Sequence, residues 1–178
     1  GCSAVATGPE KGPCANIAKA QVAVPHSASP DQSNRGAACT TPQLKADACP
    51  KNAIHGRAKA WIPLLDKPLE GPVYLGVGFG HKLPDLVADL NGQLRILLHG
   101  KVDTDKQEGI RNTFETVPDA PVSKFLLEMK GGKKGLIVNS TNICMGSPEA
   151  EVSLQAQSGR SHSFKAPLAT SCPQKKRH

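Results

Sequence analysis

Short runs in which apolar and polar residues alternate, separated by turn residues, follow one another from Ile54 to Leu168. A period of two is typical of half-buried strands, and no segment of ten or more residues repeats its apolar positions at the helical period. About nine short strands fit into this part of the chain. The pattern therefore predicts an all-β protein, an antiparallel β-sandwich.

The strongest local signal is the Asn91-Gly92 pair between the apolar runs Leu86–Leu90 and Gln93–His99. Asn-Gly favours a two-residue hairpin turn. With that turn the cross-strand neighbours are Val87 with Ile96 and Leu86 with Leu97. Both faces of the hairpin then carry apolar pairs, so we expect it to lie centrally, or to have its outer face covered by the N-terminal segment or a neighbouring module.

Three further hairpins are expected later in the chain. They are Lys101–Asp103 with Ile110–Val117, Phe125–Lys130 with Gly135–Asn139, and Glu149–Gln157 with Ser161–Leu168. In the last hairpin, which turns at Ser158-Gly159, the two residue numbers of every cross-strand pair sum to 317. The numbers of Cys144 and Cys172 sum to 316, so these two cysteines lie within one residue of facing each other at the open end of the hairpin.

Six cysteines form an even set without the Cys-x-x-Cys spacing of zinc ribbons or redox sites. They are Cys2, Cys14, Cys39, Cys49, Cys144 and Cys172. Six cysteines allow 15 pairings, and local spacing favours 2 with 14, 39 with 49, and 144 with 172. Disulfides predict an extracellular or cell-surface location. The start at Gly1 lacks the features of a secretion signal, so we expect a larger precursor.

Three segments are expected along the chain. Residues 1–38 are a loop-rich, disulfide-stapled segment, residues 39–172 form the β-sandwich module, and residues 173–178 are a basic disordered tail. Similar strand starts follow the first two cysteine loops, at Asn16–Ala20 and Ile54–Ala60. Residues 1–38 are therefore interpreted as the remnant of a preceding repeat, with chance similarity in an Ala-rich segment as the alternative. Such a segment suits strand addition to a neighbour's sheet edge.

Several Gly-, Pro- and core-rich motifs carry a family resemblance. They are Cys49–Gly56, Pro68–Leu75, Leu83–Leu86, Leu98–Val102, Asn112–Phe114, Val117–Phe125 and Lys130–Gly132. With them, the chain from Cys39 to Cys172 resembles a repeat module of large secreted or surface proteins of high-GC Gram-positive bacteria, a family of unknown function. The resemblance implies an extracellular β-module, and its motifs specify a fold without an active site.

Candidate chemistry is sparse. Asp103, Asp105 and Glu108 at one hairpin tip are oxygen ligands of the kind that Ca²⁺ takes, but they lack the EF-hand spacing, and a solvated turn is the preferred interpretation. The histidines are scattered, and the chain has no Gly-x-Ser-x-Gly nucleophile elbow. We therefore predict neither a catalytic site nor a cofactor.

The charge balance is basic, with 22 Lys and Arg against 15 Asp and Glu and a net charge of +7. The residues that form a weak candidate surface for a polyanion are Lys130, Lys133, Lys134, Lys175, Lys176 and Arg177. An anionic cell-wall polymer or a glycan suits such a surface. Six aromatic residues and no recognition helix argue against nucleic acid, and no apolar run is long enough to span a bilayer.

The sequence thus favours a non-enzymatic structural or adhesive module of a larger bacterial surface protein. Self-association or contact with neighbouring modules is the expected partnership, and a filament or surface-layer subunit is one form of it. The alternative is a module that binds glycans or cell-wall polymers, with or without Ca²⁺. A hydrolase is the least favoured function.

Overall fold

The structure, a computed structural model, describes residues 16–25, 28–30, 37–80, 83–104, 109–132, 135–139, 142, 144 and 146–169. The strands are β1 (Ile17–Ala23), β2 (Ala28–Pro30), β3 (Cys39–Thr40), β4 (Ile54–Trp61), β5 (Leu69–Val77), β6 (Asp85–Leu90), β7 (Ile96–Thr104), β8 (Ile110–Phe114), β9 (Lys124–Met129), β10 (Ile137–Asn139), β11 (Glu149–Ala156) and β12 (Ser161–Pro167). A short helix, α1 (Thr41–Lys45), and a 3-10 turn (Lys51–Ala53) lie between β3 and β4.

Nine of these strands form one antiparallel sheet in the order β12, β11, β1, β8, β7, β6, β5, β4, β9, while β3 pairs in parallel with the end of β5. The sheet curls strongly. Phe114 of β8 and Phe125 of β9 are five strands apart in this order, yet their ring centroids are 6.4 Å apart. The predicted all-β antiparallel fold is confirmed, and the layers that face each other belong to a single curled sheet.

The concave face of the curl holds the main core. Residues at alternate positions of β4 to β7 point into it, as the two-residue period of a strand requires. The buried members are Ala58, Ala60, Ile62, Leu69, Val73, Ala88, Leu90 and Leu98. Leu69 is completely buried, and burial of such a side chain stabilises a fold by about 1.5–3 kcal/mol.

A smaller core on the convex face is covered by the segment between β3 and β4. Cys39 and Cys49 form a disulfide, as the spacing of these cysteines predicts. Inside the loop that they close, Leu44 of α1 packs with Tyr74 and Val87 of the sheet. This disulfide-closed loop, residues 39–49, explains why the β6 strand is apolar on both faces.

Strand β1 lies within the sheet, between β8 and β11. Ile17–Ala23 is therefore part of the same sheet as the strands that follow residue 39, although the sequence analysis placed it in a loop-rich segment before the module. Because β1 is paired on both sides, it is not available for the strand addition to a neighbour that the sequence analysis suggested for this segment.

The β6–β7 hairpin exists, but its predicted register is wrong. Val87 pairs with His99 and Leu86 with Gly100, and the connection runs from Asn91 to Arg95. The reason lies in Asn91, whose backbone N–H and C=O both bond Glu70 of β5 at 3.0 Å. Asn91 therefore extends the pairing on the other side of β6 and does not form the tight turn.

The predicted hairpin between Phe125–Lys130 and Gly135–Asn139 is also wrong. A turn does form, since Gly132 has a positive φ of 64° and its carbonyl accepts the N–H of Gly135 at 3.0 Å. After this turn, however, the chain leaves the large sheet. Strand β9 pairs with β4, and β10 pairs with β2 in a separate two-stranded sheet.

The other two hairpins are confirmed. Thr104 pairs with Ile110 in the first of them. In the second, β11–β12, the numbers of paired residues add up to 316, as for Leu154 with His162. This register differs by one from the expected one, and its sum equals that of the residue numbers 144 and 172. Cys144 is disulfide-bonded, and Cys172 lies outside the described residues.

Candidate functional site

Strand β9 forms one edge of the curled sheet. Its inner side pairs with β4, and no described strand pairs with its outer side. Three consecutive side chains, Phe125, Leu126 and Leu127, are 39%, 39% and 37% exposed. Neighbouring residues of a strand point to opposite faces, so both faces of this edge carry exposed apolar surface. An open edge of this kind is a template for pairing with another strand.

The ends of β9 are fixed to β4. The backbone carbonyl of Trp61 accepts hydrogen bonds from the backbone N–H and the hydroxyl of Ser123, at 2.9 and 3.1 Å. At the other end, the N–H of Lys130 bonds the carbonyl of His55 at 2.8 Å, and its Nζ donates to the carbonyl of Ile54. Both ends of the edge strand are thus held against β4.

The opposite edge of the sheet has different chemistry. Strand β12 carries Ser161, Ser163 and Lys165 as exposed residues and ends at Pro167. A proline hinders edge-to-edge pairing, and the exposed Ser161, Ser163 and Lys165 offer no apolar surface to another strand. The two edges of the sheet therefore differ, and β9 is the one suited to association.

Trp61, at the end of β4, lies beside the β9 edge. Its ring has two ammonium groups over it, Lys59 Nζ at 5.4 Å and Lys124 Nζ at 4.9 Å from the centroid. Lys59 also pairs with Glu70 at 3.1 Å. Because cations already lie against the indole, this ring is not an open platform on which a sugar stacks.

A buried carboxylate lies between β6 and β7. Asp85 is completely buried, and its Oδ2 is 2.7 Å from Nε2 of His99, while its Oδ1 accepts the backbone N–H of Val102 at 2.9 Å. The ring of Phe79 lies against the imidazole, with centroids 4.1 Å apart. A carboxylate that orients an imidazole is an arrangement used in acid–base chemistry. Here the arrangement supplies hydrogen-bond partners to the Asp85 carboxylate, which folding has removed from water.

A second polar cluster joins the disulfide-closed loop to the sheet. Arg95 makes two bonds to the buried Asp89, Nε to Oδ1 at 2.8 Å and Nη2 to Oδ2 at 2.7 Å, and its Nη2 donates to the carbonyl of Leu44 at 3.1 Å. The bond to Asp89 raises the pKa of Arg95. Burial raises the pKa of the adjacent Tyr74, and the charges of Asp89 and Asp47 act in the same direction.

Of the three predicted calcium ligands, the structure describes Asp103. Asp103 makes a two-point ion pair with Arg111, at 2.7 and 2.9 Å, so its carboxylate already has a cationic partner. Asp105 and Glu108 lie outside the described residues. Among residues that the structure describes, no group of three or more His, Cys, Asp and Glu side chains is placed to hold a metal ion.

The predicted polyanion surface is described at one residue, Lys130, whose ammonium bonds the carbonyl of Ile54. Lys133, Lys134, Lys175, Lys176 and Arg177 lie outside the described residues, as do Cys2, Cys14 and Cys172. The polar pairs of Asp85 and Asp89 were missed by the sequence analysis. Asp85 begins β6 and Asp89 interrupts its apolar run, and a charged residue in an otherwise apolar strand was the available signal.

Comparisons of the chain with models of protein families, with curated proteins and with solved structures found no match. Within the described residues, the structure contains no helix with the length and apolar character needed to cross a membrane.

Proposed function

We propose that this chain is a non-enzymatic structural module of a larger extracellular or cell-surface protein, and that it joins a second copy of itself through β9. The observation that carries this proposal is the open β9 edge with its exposed Phe125, Leu126 and Leu127. The extracellular location is supported by the Cys39–Cys49 disulfide, and membership of a larger surface protein by the family resemblance of residues 39–172.

The residues of β9 suit pairing with their own copy. In an antiparallel pair related by a two-fold axis perpendicular to the sheet, residues on the same face lie opposite each other. An axis through Leu126 places Leu126 against its copy and Phe125 against Leu127. It also places Lys124 against Glu128, twice by symmetry. Opposite charges and apolar side chains across a strand pair each contribute roughly 0.2–1 kcal/mol.

Neighbouring registers are less suitable. An axis through Leu127 places Leu126 against Glu128, and an axis through Phe125 places Leu126 against Lys124. Both pair an apolar side chain with a charge and leave the other charge without an opposite partner. The register centred on Leu126 is therefore the one in which all positions from 124 to 128 are complementary.

A two-fold pairing closes at the dimer. Strand β12, the other edge, carries polar residues and Lys165 and does not extend the assembly by the same means. The proposed unit is thus a dimer in which the curled sheets of two chains become continuous.

Sedimentation equilibrium of the full chain, from about 1 µM to about 1 mM, tests the proposal. We expect a monomer–dimer equilibrium for the natural chain. Leu126→Lys places two like charges face to face on the axis and should abolish dimerisation. Ser163→Lys makes the same change of charge on the exposed β12 edge and should leave dimerisation unchanged. A natural chain that stays monomeric throughout, or two variants with equal effects, contradicts the proposal.

A further inference from the structure

A cavity of about 320 Å³ opens on the concave face of the sheet, beside the end of β9. The strands contribute Leu75, Leu86, Val102, Ile110 and, at the end of β9, Met129 to its wall, and Leu136 closes it from the segment that follows β9. Leu86 and Val102 lie on central strands of the sheet and are still only half-buried. Apolar side chains at the centre of a sheet normally have packing partners, and here the cavity occupies the place of such partners.

The charged groups at the rim of the cavity already have partners. Asp103 is held by Arg111, and the ammonium of Lys130 donates to the carbonyl of Ile54. Among the residues that the structure describes around the cavity, a charged ligand would therefore find no side chain of opposite charge that lacks a partner, and it would still lose its hydration there. The remaining polar side chain of the wall is the neutral Thr104.

The size of the cavity limits its occupant to a small molecule. Its volume corresponds to about ten water molecules and lies at the lower end of the range of small-molecule sites. We propose that this cavity binds one small, neutral, mainly apolar molecule per chain, with no more than one or two polar groups, one of them facing Thr104. This inference is independent of the association of β9.

The probe for the test is N-phenyl-1-naphthylamine, a neutral apolar dye whose fluorescence rises in apolar surroundings. Titration of the full chain should give saturable binding at one dye per chain. The matched anionic probe is 1-anilinonaphthalene-8-sulfonate, which has the same ring system with an added sulfonate. It should bind at least about tenfold more weakly, although the net charge of +7 attracts anions. Equal or tighter binding of the sulfonate overturns the neutral class.

Two substitutions fill the cavity. Val102→Trp and the milder Leu86→Phe should each weaken binding of the neutral dye, by at least about tenfold for the tryptophan. Leu97→Trp is the matched control, because Leu97 is on β7, points to the other face and is 40% exposed; it should leave binding unchanged. Urea unfolding checks that each variant is folded. Absence of saturable binding by the natural chain, or undiminished binding by a folded Leu86→Phe variant, overturns the inference.

Discussion

Asp85 and His99 form a pair across β6 and β7 in which a completely buried carboxylate lies 2.7 Å from the imidazole Nε2. The same carboxylate accepts the N–H of Val102. Asp85→Ala removes the acceptor of both groups, and each hydrogen bond lost in this way contributes about 0.5–1.5 kcal/mol to stability. We therefore expect the free energy of unfolding in urea to fall by about 2 kcal/mol.

The matched control is Asp66→Ala, which removes a carboxylate from an exposed turn. It should change the free energy of unfolding by no more than about 0.5 kcal/mol. Equal effects of the two substitutions would mean that the Asp85 pair does not hold β6 and β7 together.

The pKa of Tyr74 gives a pH prediction that a single chromophore can test, because Tyr74 is the one tyrosine of the chain. Burial, followed by the charges of Asp89 and Asp47, raises its pKa above the ordinary value of 10.0. The folded state thus holds the phenolic proton more tightly than the unfolded state. This contribution to stability is fully present below the ordinary pKa and is lost as pH rises through the folded pKa.

Near-ultraviolet titration of phenolate absorbance should give a higher midpoint for the folded chain than for the chain in urea. Tyr74→Phe should abolish this absorbance change and make the alkaline fall in stability shallower. A folded midpoint at or below the unfolded one contradicts the assignment.

The Cys39–Cys49 disulfide closes the loop that covers the convex face. A cross-link that closes a loop of this length stabilises a fold by about 3 kcal/mol, since it restricts the unfolded chain. We expect the double variant Cys39→Ala/Cys49→Ala to lose about that much in urea unfolding. If stability is unchanged, then α1 and Arg95 are sufficient to hold the loop against Tyr74.

The proposed register of β9 predicts the effect of exchanging charges. Lys124→Glu places like charges opposite each other at two symmetric positions and should weaken dimerisation roughly tenfold or more. Adding Glu128→Lys restores opposite charges and should restore the dimer. Lys59→Glu is the control and should leave dimerisation unchanged. Lys59 and Lys124 both lie over Trp61, but Lys59 is on the inner strand β4. Failure of the double variant to recover excludes this register.

Most strands and some of the turns could be predicted from the sequence because alternation and turn residues are local signals. The β11–β12 hairpin at Ser158-Gly159 is an example. The start of β1 was indicated too, since Asn16–Ala20 resembles the strand start at Ile54–Ala60, but its extent and its place in the sheet were not. Its alanines are small, so the difference in hydrophobicity between alternate positions is weak, and residues 1–38 were therefore expected to be loop-rich.

Pairing between distant strands could not be predicted in this way. That β9 joins β4 follows from closure of the curl around Phe114 and Phe125, a tertiary condition that no local pattern contains. The register of β6 and β7 depends on Asn91 bonding Glu70 on a third strand. The edge position of Leu126 could not be predicted for the same reason, because the residues of one strand do not determine how many other strands pair with it.

The most direct test of the β9 pairing is cross-linking of the Leu126→Cys variant. In the proposed register Leu126 lies opposite its own copy, where Cα atoms are about 4.5–5.5 Å apart, a distance that a disulfide spans. Mild oxidation should convert this variant to a covalent dimer on non-reducing gels, whereas Ser163→Cys on the β12 edge should stay monomeric. A Leu126→Cys chain that remains monomeric, or that cross-links no faster than Ser163→Cys, contradicts the account.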